Sequence, residues 1–349
     1  MQLNKKFWLD ESISSQGFDP EIIKKLCVSL PSKYQVKLEL TRHFPFRFWQ
    51  SKVNGYGTAW RSCLNLKKIE PLMISADHGI AYASELSKFE YDANCPHIVF
   101  DLDRYLALVE RYGEKRILRV KNPFVAYAED NSIKLKKGSK GTLVFVPHSL
   151  KAYDHYEYDW DAYFKQIISL PEIYHPITFC VHYHDVLKGL HLKILEKDLN
   201  VVTLGHTTSN FFIDRFYDLV TNFEYATSSN GGSDLLYCEF LGVKYFEYGE
   251  ELLTNYKSYI AIADNFEDKL IQKFRNNKAT LFQFPPEPNN AKVAFVHKSI
   301  GLDGKHCIEY DSLRKLNRIN ILKKPTSLIK VFLRYIFGLL SRRLHIWFG

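Results

Sequence analysis

Along the second half of the chain, short apolar runs alternate with segments in which apolar residues recur every three or four positions. The runs predict buried strands, and the segments between them predict amphipathic helices. The predicted strands are 142–146, 177–181, 201–204 and 223–227, and the predicted helices are 160–170, 186–198 and 211–220. Continuous apolar strands that alternate with helices form a parallel sheet covered on both faces, so the pattern predicts an α/β fold.

A polar tip follows each of the four predicted strands, and three of the four tips contain histidine. The carboxyl ends of parallel strands meet at one edge of a sheet, where open α/β proteins bind ligands. Histidine and hydroxyl groups gathered there predict a pocket for a negatively charged ligand, although a single loop histidine is more often structural. The residues predicted to line the pocket are His148, Ser149, His182, His184, His206, Thr207, Ser228, Ser229, Asn230, Gly232 and Ser233.

The last of these tips lies in the stretch 222–249, which predicts a strand, a turn, a helix and a second strand. The turn covers 228–232, the helix starts at 233 or 234 and runs to 241, and the second strand covers 243–248. Gly242 fits the glycine that commonly follows a helix. A glycine-containing turn that opens a helix directs N–H groups and a positive dipole end outwards, which favours a phosphate. An ordinary turn without a ligand is the alternative.

In the first half of the chain, an acid and an imidazole stand side by side after an apolar run. Residues 71–75 predict a short buried strand, which Ala76, Asp77, His78 and Gly79 follow. Asp77 or His78 at such a strand end could remove a proton from a sugar hydroxyl. The alternative is a turn in which the aspartate accepts backbone hydrogen bonds and Gly79 supplies a positive φ.

The rest of the chain suggests the domain boundaries. Residues 97–100 predict a second strand, 101–111 a helix, and 124–127 are a third short apolar run. Residues 131–141 hold four lysines and two glycines, a composition typical of a solvated linker. We expect one domain in 1–135, a second in 136–265, and a segment 266–324 that is irregular after a helix at 267–275.

The C-terminal tail, 325–349, has a helical pattern of its own. Polar or small residues recur every three or four positions from Ser327 to His345, and nearly all the others are apolar or aromatic. Arg342 and Arg343 widen the polar stripe. Such a helix lies in the interface of an anionic membrane, and its longest uncharged run is too short to cross a bilayer. A terminal helix packed on the protein itself or on a partner is the alternative.

Composition narrows the class of protein. The 349 residues are 46% hydrophobic, which is ample for two buried cores. The six cysteines include no Cys-x-x-Cys pair, and the N-terminus lacks the apolar core of a signal peptide, so we expect reduced thiols in the cytoplasm. The net charge of +8 is scattered, and nucleic-acid binding is not expected.

Familiar cofactor motifs are absent from the sequence, including the P-loop and the Gly-x-Gly-x-x-Gly fingerprint. His182, His184 and Asp185 could ligate a metal, because residues two apart on a strand share a face. No further residues complete a set with familiar spacing. We therefore expect neither a metal ion nor a bound cofactor.

The two halves together resemble the GT-B class of glycosyltransferases, and more narrowly the bacterial enzymes that build capsules, O-antigens and lipooligosaccharides. The resemblance covers roughly 70–250 and is carried by 76–79, 146–149, 205–207, 227–233, Glu239 and Gly242. It implies two Rossmann-like domains that face a central cleft, with the nucleotide-sugar donor in the C-terminal domain, the acceptor in the N-terminal one, and no metal. It also implies roles for particular residues: Asp77 as the base with His78 beside it, and His148, His206, Ser228, Ser229 and Ser233 as the donor site.

Finer features of the resemblance concern the donor. Histidine combined with Ser228 and Ser229 is similar to the pattern of CMP-sugar transferases that use sialic acid or Kdo. The order Pro147, His148, Ser149 departs from the His-Pro order of sialyltransferases and leaves UDP- and GDP-sugars open. The Glu-x-x-x-x-x-x-Glu signature of many retaining enzymes is absent, which favours inversion.

These features predict a metal-independent glycosyltransferase at the inner face of the plasma membrane, acting on a lipid-linked or lipid A-core glycan. A nucleotide-sugar epimerase on the same fold is one alternative. A non-catalytic glycan- or partner-binding protein is the other.

Overall fold

The computed structural model describes residues 46–48, 51–67, 69–79, 81–93, 95–147, 159–205, 207, 209–249, 268–323, 326–333 and 336. The chain divides into two compact units, named here by the sheet that each contains. The three-stranded unit includes Lys33–Ser132, His206–Ile213 and Ala294–Gly349. The five-stranded unit includes Ile133–Gly205 and Asp214–Val293.

The three-stranded unit holds a parallel sheet in the order β1-β2-β3. Its strands are β1 (Ser75–Ala76), β2 (His97–Val99) and β3 (Ile117–Arg119), and its helices before residue 132 are α1 (Tyr56–Cys63), α2 (Lys88–Asp92), α3 (Leu102–Tyr112) and α4 (Pro123–Asp130). Most strand residues are buried, as is usual in a parallel sheet with both faces covered. The predicted strand at 97–100 and the predicted helix at 101–111 are confirmed.

Local sequence explains where two of these helices begin. The Asp101 side chain accepts the Arg104 N–H at 2.9 Å and caps α3. The Asn122 side chain accepts the Phe124 N–H at 2.9 Å, and Pro123 supplies the first residue of α4. The apolar run 124–127 is therefore helical, because it follows a cap and a proline.

The five-stranded unit holds a second parallel sheet, in the order β6-β5-β4-β7-β8. Its strands are β4 (Thr142–Phe145), β5 (Ile177–Cys180), β6 (Asn200–Val202), β7 (Tyr225–Ser228) and β8 (Lys244–Glu247). The first strand along the chain lies in the middle, and the order reverses between β4 and β7, as it does between the two halves of a Rossmann fold. The predicted α/β fold class is confirmed.

The helices that follow these strands are α5 (Trp160–Ile168), α6 (Tyr183–Leu187), α7 (Leu190–Glu196), α8 (Phe212–Val220), α9 (Ser233–Phe240) and α10 (Lys269–Leu281). The helix and strand predicted at 233–241 and 243–248 are confirmed, with Gly242 at φ 84° between them. The single helix predicted at 186–198 is wrong. Gly189 at φ 86° separates α6 from α7, because a left-handed residue cannot continue a helix.

The lysine-rich segment 131–141 contains the boundary between the two units, at Ser132. Its side chains are largely exposed, but its backbone is tethered. The N–H groups of Lys136 and Lys140 donate to the carbonyls of Thr221 and Asn222 at 3.0 and 3.1 Å. The segment is therefore fixed to the end of α8.

Beyond α10, the chain forms α11 (Asn290–Ser299) and α12 (Tyr310–Lys323), and residues 326–333 are also helical. The prediction that the later part of 266–324 is irregular is therefore wrong. In the three-stranded unit, α12 is anchored by Asn317, whose side chain accepts the Met73 N–H at 2.7 Å and donates to the Pro71 carbonyl at 3.1 Å. Within the described residues, no helix is long and apolar enough to cross a bilayer.

Candidate functional site

The end of β1 carries the two residues predicted to act as a base. Asp77 follows β1 directly and is only 1% exposed, whereas His78 is exposed. The Asp77 N–H donates to the Ile98 carbonyl at 3.0 Å, which continues the pairing of β1 with β2. The chain bends at His78 and Gly79, directly after the buried run 71–77, and His78 is the first exposed residue after that run.

The Asp77 carboxylate is bonded through both of its oxygens. Arg104 on α3 donates from Nε to Oδ2 and from Nη2 to Oδ1, each at 3.1 Å. His97 Nε2 lies 2.9 Å from Oδ1, and His97 Nδ1 lies 2.8 Å from the Ser75 hydroxyl. Burial acts to raise the pKa of Asp77, but the Arg104 charge and the His97 hydrogen bond outweigh it and hold the pKa below its usual value.

These contacts differ from those that a general base needs. A base must reach the proton that it removes, and its pKa must lie near the working pH. Asp77 is buried and has a lowered pKa, so its role as the base stays a prediction without support from this geometry. His78 has the exposure that the role requires and lies at the same strand end.

The same cluster can be tested as a cation site, because Asp77, Glu90 and His97 offer ligand atoms within 4.8 Å of one another. The Arg104 guanidinium already lies among them, with Nη2 3.1 Å from Asp77 and 3.7 Å from Glu90. A divalent ion would meet this buried positive charge at short range and be repelled. The donor set therefore fits an ion-pair network better than a metal.

In the five-stranded unit, the turn from β7 to α9 lies where the strand order reverses. Its backbone N–H groups are bonded within the protein. Asn230 N–H donates to the Ser228 hydroxyl at 3.3 Å, Gly231 N–H to Glu247 Oε1 at 3.0 Å, and Gly232 N–H to Asp234 Oδ1 at 2.9 Å. Gly232, predicted to bind the ligand, thus already donates to a carboxylate. The positive end of the α9 dipole remains at this edge of the sheet.

Lys278 on α10 holds the same turn from another side. Its ammonium donates to Asn230 Oδ1 at 2.9 Å and to the Gly231 carbonyl at 3.2 Å, and it pairs with Glu247 at 2.8 Å. Both backbone polar groups of Gly231 are therefore fixed by charged side chains. A Cβ at Gly231 would lie 2.5 Å from the Tyr245 hydroxyl, so the position also lacks room for a side chain.

A second group of charges supports α9 at both of its ends. Asp234 Oδ2 accepts the Tyr245 hydroxyl at 3.0 Å. Lys292 pairs with Glu239 at 2.7 Å and donates to the Tyr245 carbonyl at 2.9 Å. Burial raises the pKa of Asp234, against the hydrogen bond from Gly232. Burial likewise raises the pKa of Glu239, against the charge of Lys292.

The two serines of the turn are bonded differently. The buried Ser228 hydroxyl accepts the Asn230 N–H, as described above, and its carbonyl accepts the Tyr248 N–H at 3.1 Å. The buried Ser229 hydroxyl lies near that of Tyr163, whose pKa burial raises, but within the described chain neither makes a hydrogen bond of good geometry. The Ser229 hydroxyl therefore keeps bonding capacity, and its role in ligand binding stays a prediction.

The other predicted ligand-binding residues fall in several places. His182 follows β5, the neighbour of β4, and so lies at the same sheet edge as the turn. Residues 183–187 form α6, so His182 and His184 do not share a strand face and that metal interpretation is wrong. Thr207 belongs to the three-stranded unit, where its carbonyl accepts the Asn54 N–H at 2.6 Å. Outside the described residues lie His148, Ser149, His206, the His184 side chain and most of the tail.

Comparison with known proteins gives a weak likeness in structure alone. No protein-family model matches the chain. No curated protein matches it either. Among solved structures, the chain is similar to WaaG, a glycosyltransferase involved in lipopolysaccharide biosynthesis, with a TM-score of 0.26 and 15% identity. The likeness covers 65% of this chain and 62% of the WaaG chain, which is less than two thirds of WaaG's length.

Sequence reasoning missed the charged residues that organise both clusters. Arg104 lies on the buried side of α3, four residues before Leu108, and Lys278 follows Phe274 by four residues on α10. A charge at an apolar position of a helix was the available signal, because such a residue needs a buried partner. The pattern of apolar positions along the helix does not identify that partner.

Proposed function

We propose that the protein is a nucleotide-sugar-dependent glycosyltransferase that binds its donor at the carboxyl edge of the five-stranded sheet. One observation carries the proposal: the strand order reverses between β4 and β7, and a glycine-containing turn leads from β7 into α9 at that point. Open α/β sheets bind nucleotides at such a reversal, outside the strand ends.

The chemistry of the turn suits a ligand with both a charged and a neutral part. The α9 N-terminus favours the donor phosphates, while the carboxylates of Asp234 and Glu247 make the neighbouring surface able to accept hydrogen bonds from hydroxyls. The Ser229 hydroxyl would bond to the ligand between them. A nucleotide sugar presents phosphates and hydroxyls side by side, which matches this arrangement.

For the transfer step, His78 is the better candidate for the base. The acceptor hydroxyl must lose a proton as it attacks the sugar, and the exposed imidazole of His78 can accept it. Asp77 would then act through the backbone, since its bonds to Arg104 and His97 fix the strand end that carries His78. The reaction would need no metal ion and would invert the sugar.

The finer assignments follow the resemblance described from the sequence. The donor would be a CMP-sugar of the Kdo or sialic acid type, and the acceptor a lipid-linked or lipid A-core glycan. The protein would act in the cytoplasm, on the inner face of the plasma membrane, with the tail 325–349 as its contact with lipid.

A thermal-shift panel of CMP, UDP, GDP and CDP tests donor binding. A nucleotide that binds the folded protein at one hundred times its Kd stabilises it by about 2.7 kcal/mol. Ser229→Ala should weaken this effect without lowering the stability of the free protein. Thr178→Val is the matched control, since Thr178 is a buried hydroxyl without a hydrogen bond on β5. If no nucleotide shifts the melting temperature, the proposal fails.

Turnover tests the base. His78→Ala should reduce kcat by a factor of roughly 10² to 10⁴ and leave the nucleotide-induced shift unchanged. His297→Ala is the control, because His297 is also exposed and lies on α11. Equal activity of the wild type and His78→Ala would remove His78 from the mechanism. Turnover without an acceptor would instead indicate an epimerase.

A further inference from the structure

The outer sides of α12 and of the helical segment 326–333 carry exposed aliphatic side chains. Ile319 and Leu322 on α12 are 43% and 79% exposed, and Ile329 and Leu333 in the segment 326–333 are 58% and 48% exposed. Residues three or four apart lie on one face of a helix. Each element therefore presents a row of large apolar side chains to the outside of the three-stranded unit.

The opposite side of α12 is firmly packed, so this orientation is fixed. Leu313 and the side chains of Asn317 and Asn320 are buried. The two asparagines donate to the carbonyls of Pro71 and Met73, each at 3.1 Å. Val331 is buried in the same way within the segment 326–333. The exposed rows are thus not a consequence of a loosely placed helix.

The charge of this region is almost wholly positive, with Asp311 in the first turn of α12 as the exception among the described residues of the two elements. From residue 312 to residue 349 the sequence contains nine Lys or Arg residues and no Asp or Glu. Within the described part, Lys315, Arg318, Lys323 and Lys330 are exposed among the aliphatic side chains. Apolar side chains mixed mainly with cations suit a surface that is apolar beneath and anionic above, which describes a membrane with acidic headgroups.

We infer that α12 and the segment 326–333 form a docking surface for an anionic lipid bilayer. The aliphatic rows would enter the boundary between headgroups and acyl chains, and the cations would pair with lipid phosphates. The membrane contact proposed above for the tail thus extends into α12, a helix that is packed within the three-stranded unit. It deepens the proposed function, on which it rests for its biological setting.

A second copy of the chain is less suited than a bilayer to cover this surface. Two copies that met through these faces would bring mainly like charges together, because Asp311 is the single acidic residue among the described residues of the two elements. This excess of positive charge opposes association. A bilayer supplies both the apolar layer and the opposite charge.

Co-sedimentation with vesicles tests the surface without nucleotide. The wild type should bind vesicles of phosphatidylcholine mixed with phosphatidylglycerol more tightly than vesicles of phosphatidylcholine alone. The binding should weaken as salt is added, because salt screens the attraction. The double variant Leu322→Glu, Ile329→Glu should lose on the order of tenfold or more in partition, because it removes two inserted side chains and adds two charges that the lipid repels.

Ile173→Glu is the matched control, because Ile173 is 66% exposed and lies in the five-stranded unit. It should bind vesicles like the wild type. Undiminished binding by the double variant overturns the inference, as does equal binding to neutral and anionic vesicles. A wild-type dimer in light scattering that the double variant converts to a monomer assigns the surface to a second copy and also overturns it.

The two proposals can fail separately. Vesicle binding without any nucleotide-induced shift leaves the docking surface in place and removes the enzyme. A nucleotide-induced shift in both the wild type and the double variant, with no vesicle binding by the wild type, does the reverse. Both substituted positions are exposed, so the unfolding transition of the double variant should match that of the wild type.

Discussion

Both units bury charge at the carboxyl edge of a parallel sheet, but they use it differently. In the three-stranded unit, charged side chains bond to one another: Arg104 and His97 take both oxygens of Asp77. In the five-stranded unit, charged side chains bond to backbone: Glu247 accepts the Gly231 N–H, and Lys278 donates to the Gly231 carbonyl. The first cluster neutralises a carboxylate, and the second sets the shape of a turn.

The difference separates two uses of buried charge. A carboxylate held by two donors contributes stability but is poorly placed to accept a further proton. A turn held from both sides is already ordered, so a ligand that binds it loses less conformational entropy. Changes in the first cluster should therefore lower stability without lowering the affinity for the nucleotide, and changes in the second cluster should lower both.

The largest expected effect is that of Arg104→Ala, which leaves the Asp77 carboxylate buried without its cation. Removal of one partner of a buried ion pair typically costs about 3 to 5 kcal/mol. Urea unfolding measures the loss. Arg111→Ala is a control on the same helix, because Arg111 pairs with Glu85 at an exposed position, where such pairs are worth about 0 to 1 kcal/mol.

A double-variant cycle refines the Arg104 result. Asp77→Asn combined with Arg104→Ala should cost less than the sum of the two single changes, because each removes the same interaction. Equal losses from Arg104→Ala and Arg111→Ala would show that the buried cluster is not a source of stability.

The next effect concerns the turn. Lys278→Ala should cost about 2 to 3 kcal/mol, since it leaves Glu247 and the Gly231 carbonyl without their cation. It should also reduce the nucleotide-induced shift. Lys278→Arg keeps the charge and should recover part of both quantities. Lys244→Ala, which removes an exposed pair with Glu224, is the control.

Separate outcomes for stability and affinity decide the role of Lys278. A stability loss with an unchanged nucleotide-induced shift, corrected for the lower melting temperature, would make the lysine merely structural. The two clusters would then no longer differ in their effect on ligand affinity.

Much of the fold could be predicted from the sequence, because hydrophobic periodicity and helix caps depend on residues that are close together in the chain. The predicted element at 233–241 matches α9, since a polar turn precedes it and Gly242 ends it at positive φ. At Gly189 the same local signals gave a wrong prediction, a single helix over 186–198. Gly189 sits inside an unbroken amphipathic pattern, and only its backbone angle shows that the helix is interrupted there.

Less of the candidate site could be predicted, because its contacts join distant parts of the chain. Asp77 looked like an accessible base beside His78, but its partner Arg104 lies 27 residues away. The turn 228–232 looked like an anion-binding turn, but Lys278, which bonds to the Gly231 carbonyl, lies 47 residues beyond that glycine. Sequence patterns give the order of strand ends, and hence the edge where ligands bind. They do not give the side chains that fill that edge.

A smaller effect tests the space around the turn. Gly231→Ala should cost about 1 to 2 kcal/mol, because the new Cβ would overlap the Tyr245 hydroxyl. In the background of Tyr245→Phe the same substitution should cost less, since the nearest atom is gone. Urea unfolding of the four proteins in the cycle measures this coupling. Costs that simply add would show that Tyr245 moves aside, and that the turn is less rigid than Lys278 and Glu247 imply.

The smallest effect is a difference in pH dependence between two aspartates. The pKa of Asp77 is lowered in the folded protein, so its contribution to stability is present above about pH 3.9, the value for an unfolded aspartate, and is lost as the pH falls further. The pKa of Asp234 is raised by burial, so the folded protein binds that proton more tightly than the unfolded chain does. Stability from Asp234 should therefore increase as the pH falls from neutral towards about pH 3.9.

Urea unfolding of the wild type, Asp77→Asn and Asp234→Asn between about pH 3 and pH 7 isolates each group by difference. Differences that slope the same way in both variants would mean that the two carboxylates share one kind of environment.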